Sequence, residues 1–387
     1  MCLFLTYFLR FKHIFIKFML FCNYMYRLDA KDGNARTGTL KTAHGKVKTP
    51  FFMPVATKTA VKYLDARDLE EIGIQAIISN AFVLSLRPGI QTIKKAGGIN
   101  KFMNFHNAIF TDSGGFQKIK DSFYIKSTDK GLHLKSPFDG KKIMLTPKKL
   151  MHIQNTLDSD VAMVIDEMPL HSQTKKEVSL AVQRTHKWAE KCIKHHNNKK
   201  QLLFGIAQGG LYEDLREKSA KFISSLPFDG YAFGGLAIGE PEKKTYKMIN
   251  SQVQHFPENK PRYLMGVGSP VQLINAIAAG ADCFDSTFPT QNARHNTLFT
   301  SKGKLIIKNA GYKNDLKPID KNCSCYVCKN YSRAHIRHLI KMKEANGLRY
   351  ATYHNIYFIN NLMKQIRKAV KEERFNKFKE DFIKKYK

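Results

Sequence analysis

Eight short apolar runs recur between residues 51 and 287, each closing on glycine or a polar residue, and they constrain the fold more than any other feature of the chain. They are FFMPV (51–55), AIISN (76–80), IFTD (109–112), AMVID (162–166), LFGIAQ (203–208), YAFGG (231–235), YLMGVG (263–268) and CFDST (283–287). An unbroken apolar run of this length suits a strand buried on both faces, as in a parallel sheet. Parallel neighbours need a crossover connection, and longer amphipathic stretches lie between the runs. SPVQLINAIAAG (269–280) reads as one such helix: Ser269 is placed to cap it, Pro270 fits its first turn and Gly280 closes it. Eight strands with intervening helices predict an α/β chain folded as a (β/α)8 TIM barrel.

Two regions break the rhythm. Residues 117–147 include LHLKSPFDGKKIML, two strand-like runs around an Asp139-Gly140 turn, which predicts an inserted β-hairpin. Residues 323–328 read CSCYVC, which holds three of the chain's seven cysteines. An odd number of mostly clustered thiols is not a disulfide framework; it points to a metal site in a reducing cytoplasm. Cys323, Cys325 and Cys328 with one histidine would complete a tetrahedral zinc shell and leave no position for a substrate, so such a zinc would be structural. Spacing alone leaves His335, His338 and His354 all open as the fourth ligand. NIYFINNLMKQIRKAVKEERFNKFKEDF predicts one or two basic amphipathic helices, with His354 at their start. Residues from about 300 to 387 are thus expected to form a zinc-binding subdomain of a barrel that spans 25–387.

Composition bears on the partner. The chain is 43% hydrophobic and 25% charged, which excludes a disordered protein. Lys+Arg number 64 against 32 acidic residues, a net charge of +32, and a charge of that size suits a polyanion, most naturally nucleic acid. Only 14 of the basic residues are arginines, and a lysine bias this strong can also reflect genome composition. Residues 1–24 differ in kind: aromatic and apolar, with Thr6, Arg10, His13 and Lys17 on one helical face. No run there is long enough to span a bilayer, and no small-residue cleavage site marks a signal peptide. The favoured reading is upstream sequence ahead of a true start at Met25; the alternative is a helix lying on a membrane surface. A membrane partner is not expected.

In a barrel of this kind the reactive groups stand at the C-terminal ends of the strands. Those ends carry Asn80, Asp112, Asp166, Gln208, Gly234-Gly235 and Asp285. Two carboxylates flanking a glycosidic bond can carry a double displacement, one as nucleophile and the other as acid and then base. A third carboxylate with an amide can hydrogen-bond the edge of a heterocyclic base. The plainer reading has each aspartate capping the helix that follows it.

TDSGGFQ (111–117), IDE (165–167), GIAQGG (205–210), GGLAIGE (234–240), YLMGVG (263–268) and FDSTFPTQNAR (284–294) occur in that order, followed by the cysteine cluster and YHN (353–355). From about Tyr26 to the C-terminus this resembles the tRNA-guanine transglycosylase family of bacterial type, the queuine tRNA-ribosyltransferases. The resemblance implies a homodimeric, cytoplasmic barrel enzyme that exchanges the wobble guanine of tRNAs with GUN anticodons for a 7-deazaguanine, in queuosine biosynthesis. It implies Asp285 as the nucleophile at ribose C1′ and Asp112 as the general acid/base. Asp166, Gln208 and Gly235, with Leu236 and Ser113, match residues around the base edge, and Phe116 and Met265 match those that sandwich its ring. Arg294 and Gln291 fall where the anticodon loop is met, and the zinc histidine matches His354. A catalytically silent tRNA-binding partner subunit would lack one of the two catalytic aspartates, and both are present. A generic glycoside hydrolase would have no use for the cysteine cluster or the charge.

The chain departs from the family pattern at several positions. NAFVL (80–84) stands where NTYHL is usual, and Met168 where bacterial members usually have cysteine. Gln291 replaces a usual arginine, so part of the grip on tRNA is expected to pass to overall charge. Ile238 stands where queuine-accepting members carry glycine and bacterial members usually carry valine, so 7-aminomethyl-7-deazaguanine is the expected base.

Overall fold

Each of the eight apolar runs becomes a parallel strand of one sheet in the computed structural model, which describes residues 25–114 and 123–386. In chain order the strands are β1 (Phe51–Pro54), β2 (Ala76–Asn80), β3 (Ala108–Asp112), β4 (Val161–Met163), β5 (Leu202–Ala207), β6 (Gly230–Phe233), β7 (Arg262–Leu264) and β8 (Cys283–Ser286). From β2 to β8 each pairs with the next, and β8 pairs with β1, Cys283 opposite Phe51. The last seam, β1 to β2, is joined by a bridge from Val55 to Ile78 and by the Ala56 N–H, which donates to the Ile78 carbonyl at 2.7 Å. The sheet thereby closes into a barrel and leaves no edge. Its interior holds a ring of aromatic side chains from alternate strands, the layering expected of this barrel. Phe110 of β3 lies 5.9 Å from Phe51 of β1, 5.8 Å from Phe204 of β5 and 6.3 Å from Tyr263 of β7, centroid to centroid.

A three-stranded antiparallel sheet that the sequence reading did not anticipate, Tyr26–Asp32, Ala35–Thr42 and Gly45–Thr49, lies across the N-terminal end of the barrel. Its Arg36 is only 2% exposed and pairs with Asp282, at the foot of β8, at 2.5 Å. Its His44 N–H donates to Asp160, at the foot of β4, at 2.8 Å. The insertion between β3 and β4 contains the predicted hairpin, Gly131–Lys135 with Lys142–Leu145. A further strand, Tyr124–Thr128, pairs with the first of these. Its side chains are exposed or half-buried, so no apolar pattern announced it.

The predicted helix runs over Pro270–Ala278, and Gly280 closes it at φ 108°. Ser269 occupies the N-cap position but its side chain makes no capping bond. Pro270, at the first helical position, has no N–H to leave unpaired there. Beyond the barrel come a hairpin (Thr297–Thr300 with Gly303–Ile306), the helices Tyr326–Asn330 and Arg333–Lys341, a long helix Ala345–Lys371 and a terminal helix Phe375–Lys385. The long helix begins nine residues before His354, so this histidine lies inside it and not at its start as expected. Gly347 lies within the long helix. It is where two helices approach so closely that a Cβ would sit 2.9 Å from the Ile340 backbone nitrogen. Among the described residues no helix is long and apolar enough to cross a membrane. Both readings of residues 1–24 fall outside the described residues.

Candidate active site and metal centre

Strand pairing brings the first polar groups together at the C-terminal mouth, because Asn80 at the end of β2 lies opposite Asp112 at the end of β3. Asn80 Oδ1 accepts the Val83 N–H at 2.8 Å, capping the short helix Ala81–Leu84, and the Asn80 side chain also hydrogen-bonds Asp112. The Gly114 N–H donates to Asp112 at 3.1 Å. Against these donors, burial and then the nearby Asp285 carboxylate push the Asp112 pKa up to about 7. The four residues Ala81 to Leu84 of the altered NAFVL stretch are buried.

Asp285, on β8, is held differently. The Tyr263 hydroxyl donates to its Oδ1 at 2.6 Å and the Gly266 N–H donates to the same oxygen at 3.0 Å. Burial raises the proton affinity of Asp285 as well, but these two donors oppose it. The Asp285 charge, in turn, favours the proton on Asp112. The plainer reading, aspartates as helix caps, does not describe Asp285, whose helix Phe288–Arg294 has Thr287 at its N-cap position; for Asp112 it falls outside the described residues.

Asp112, Ser113, Asp166, Gly235, Leu236 and Met265 line one small cavity at the mouth, which Met168 and Ile238 share. Gln208 lies fully buried beneath it. Its Nε2 donates to Asp166 Oδ2 at 2.5 Å, while its Oε1 is buried and finds no partner among the described residues. Gly235 sits at φ 62°, and a Cβ there would stand 2.6 Å from that Oε1, so a side chain would be strained and would crowd the amide. Phe116 falls outside the described residues. Gln291 and Arg294 lie on the helix Phe288–Arg294 that follows Asp285; Gln291 is exposed, and Arg294 donates to Thr290 Oγ1 at 3.2 Å. A wider cleft lined by Phe358, Leu362, Phe378 and Phe382 lies between the last two helices, but neither Asp112, Asp166 nor Asp285 reaches it.

Two residues that shape this mouth were not anticipated. Arg216 is fully buried and donates to the Gly210 carbonyl at 2.8 Å and the Gly234 carbonyl at 2.6 Å, which ties together the loops after β5 and β6. Glu240 accepts the Ala237 N–H at 2.5 Å and the Ile238 N–H at 2.9 Å, fixing the cavity wall. Glu240 closes the GGLAIGE motif, which was a usable signal. Arg216 lies in an amphipathic helix, where an arginine reads as solvent-facing.

Away from the mouth, Cys323, Cys325, Cys328 and His354 converge, with one ligand atom of each inside a 4.8 Å span. His354 Nδ1 lies 3.8, 3.6 and 3.4 Å from the three sulfurs in turn. Zinc bond lengths of about 2.3 Å to sulfur and 2.0–2.1 Å to nitrogen give a tetrahedron with edges of about 3.5–3.8 Å, so the cluster fits such an ion. His354 Nε2 lies 2.6 Å from the Phe299 carbonyl, a bond that places its proton on Nε2 and leaves Nδ1 free to ligate. His335 is stacked on Tyr331 at 5.3 Å, and neither it nor His338 joins the cluster.

The queuine tRNA-ribosyltransferase family matches residues 31–387. Proteins named queuine tRNA-ribosyltransferase from Fusobacterium nucleatum subsp. nucleatum, a Thermoanaerobacter species and Bacillus licheniformis are 48%, 49% and 47% identical to this chain. The alignments cover 93%, 93% and 92% of it, and 98%, 97% and 94% of the relatives. A closed barrel with carboxylates at its mouth, a Cys3His cluster behind it and a match over nearly the whole length agree, and the chain belongs to the queuine tRNA-ribosyltransferase family, the tRNA-guanine transglycosylases, enzymes of the pentosyltransferase class.

Proposed function

We propose that this enzyme exchanges the wobble guanine of tRNA for a 7-deazaguanine by double displacement at ribose C1′. The observation that carries the reading is the inequality of two carboxylates at one mouth. Asp285 is held on one oxygen by two donors, which suits a nucleophile, while burial and the Asp285 charge keep the proton on Asp112 up to about pH 7, as a leaving-group acid must. Asp285 attacks C1′ as Asp112 protonates the departing guanine. Asp112, now a base, takes the proton of the incoming base as it displaces Asp285. Two inversions retain the β-anomer, and no external energy is needed. Asp166, Gln208 and Gly235, with Leu236 and Ser113, meet the base edge, and Met265 and Phe116 meet its faces. The base leaves the anticodon stack to reach them, and the basic surface, with Arg294 and Gln291, holds the phosphates and loop. The same reading places a structural zinc on Cys323, Cys325, Cys328 and His354, in a homodimeric enzyme.

The pH profile of kcat/KM for tRNA tests the acid. Because the Asp112 pKa is raised, the protonated form is present at neutrality and is lost as pH rises through about 7. The rate is expected to fall about tenfold per pH unit above that point. A profile flat to about pH 9 would exclude Asp112 as the acid.

Base choice is tested at Ile238, which lines the cavity and whose N–H is fixed by Glu240. Its branched side chain is expected to admit 7-aminomethyl-7-deazaguanine and to exclude queuine by overlap. Competition between the two bases should favour the former by at least about tenfold, the scale of a few methylenes in a pocket, and Ile238→Gly should narrow the gap. Equal use of queuine by the unaltered enzyme would overturn this.

A further inference from the structure

The two donors to Asp285 converge on one of its oxygens. Tyr263 Oη lies 2.6 Å and the Gly266 nitrogen 3.0 Å from Oδ1. Among the described residues, no donor to Oδ2 is found. Tyr263 is fully buried and is a member of the aromatic ring inside the barrel, packed edge-on at 6.3 Å to Phe110. Its hydroxyl is thus aimed by the core and not by solvent. Gly266 belongs to the loop that follows β7, the strand that carries Tyr263.

We infer that Tyr263 is a positioning residue whose hydroxyl, with the Gly266 N–H, forms a fixed two-donor cradle for Asp285 Oδ1, leaving Oδ2 to attack and making the carboxylate a better leaving group in the second step. This rests on the reading of Asp285 as nucleophile. In the first step an Oδ2 electron pair forms the bond to C1′, the C1′–N9 bond breaks, and the base leaves with the Asp112 proton. Oδ2 is then the ester oxygen and Oδ1 the ester carbonyl. In the second step N9 of the incoming base bonds C1′, its proton goes to Asp112, and the C1′–Oδ2 electron pair returns to the carboxylate. Negative charge then reappears on Oδ1, where both donors already wait. Donors aimed at a developing charge act on the transition state and need no reorganisation. They also stabilise the free carboxylate over its ester, so they favour release of the adduct over its persistence.

Tyr263→Phe keeps the ring and its packing and removes one donor. The covalent tRNA adduct would be formed in the absence of a second base, resolved on a denaturing gel, purified and chased with guanine. The variant is expected to hold more adduct than the unaltered enzyme, to release it about 10- to 100-fold more slowly, and to leave KM for tRNA unchanged or lowered while kcat falls. Starting from the purified adduct makes the chase independent of the ionisation of free Asp285. Release at the unaltered rate, or a variant that forms less adduct, would overturn the cradle. An adduct formed by Asp285→Asn, or none formed by the unaltered enzyme, would instead sink the nucleophile assignment on which it rests.

Discussion

Asp285→Asn is expected to lower guanine exchange by on the order of 10⁴-fold or more and to give no covalent adduct, with tRNA binding intact. The amide keeps the shape of the carboxylate. Its carbonyl oxygen can still accept from the Tyr263 hydroxyl and the Gly266 N–H, so the loop after β7 has no reason to move. What is lost is the anionic oxygen that attacks C1′. Asp112→Asn should be impaired less, by about 10²- to 10⁴-fold, because a positioned proton donor contributes on that scale and guanine leaves poorly without one. The ordering matters as much as the sizes. An amide at 112 should still permit some adduct, slowly, whereas an amide at 285 permits none. Labelled guanine incorporated into tRNA, with tRNA affinity measured in parallel, checks both. Full exchange by the Asp285 variant would refute the nucleophile.

How legible these features were depends on where their causes lie. Strands buried on both faces are apolar without interruption, so β1 to β8 could be read directly from the chain. The sheet across the barrel foot could not, because its burial is polar. Arg36 is buried because Asp282 and two backbone carbonyls, those of Glu258 and Lys260, receive it, and these partners lie more than 200 residues away. Arg216 is the same case inside the mouth. The aspartates were visible as strand ends and as parts of motifs, but their inequality was not. It arises from burial and from the Asp285 charge beside Asp112, set against donors from Asn80, Gly114, Tyr263 and Gly266 that come from three different strands and their loops. The choice of His354 over His335 and His338 followed from resemblance and not from spacing, since a long helix carries His354 back to the thiols from 26 residues beyond Cys328.

Loss of the metal is expected to act on the tRNA-binding side of the active site before it acts on the chemistry. His354 and Asn355 are neighbours on the long helix and do two linked jobs. His354 faces the three thiols and holds the Phe299 carbonyl. Asn355 accepts the Phe299 N–H at 3.0 Å and donates to the carbonyls of Thr297 and Pro289 at 3.0 and 3.1 Å. Pro289 belongs to the helix that carries Gln291 and Arg294, directly after Asp285. A closed Cys3His shell would therefore lock the helix that anchors this segment. His354→Ala and Cys325→Ser should each lose stoichiometric zinc, because an opened shell leaves buried thiols unpaired with metal. Losing several kcal/mol of ligation should lower Tm by about 5–10 °C in a chain of this size. At temperatures where the variants stay folded, KM for tRNA should rise more than kcat falls, since Asp285 keeps Tyr263 and Gly266 while the helix beyond it loosens. Metal content, melting and the kinetic split are the readouts. Full zinc and unaltered melting in both variants would remove the site. Exchange that stopped with fold and zinc intact would show that the cluster serves the chemistry and not the scaffold.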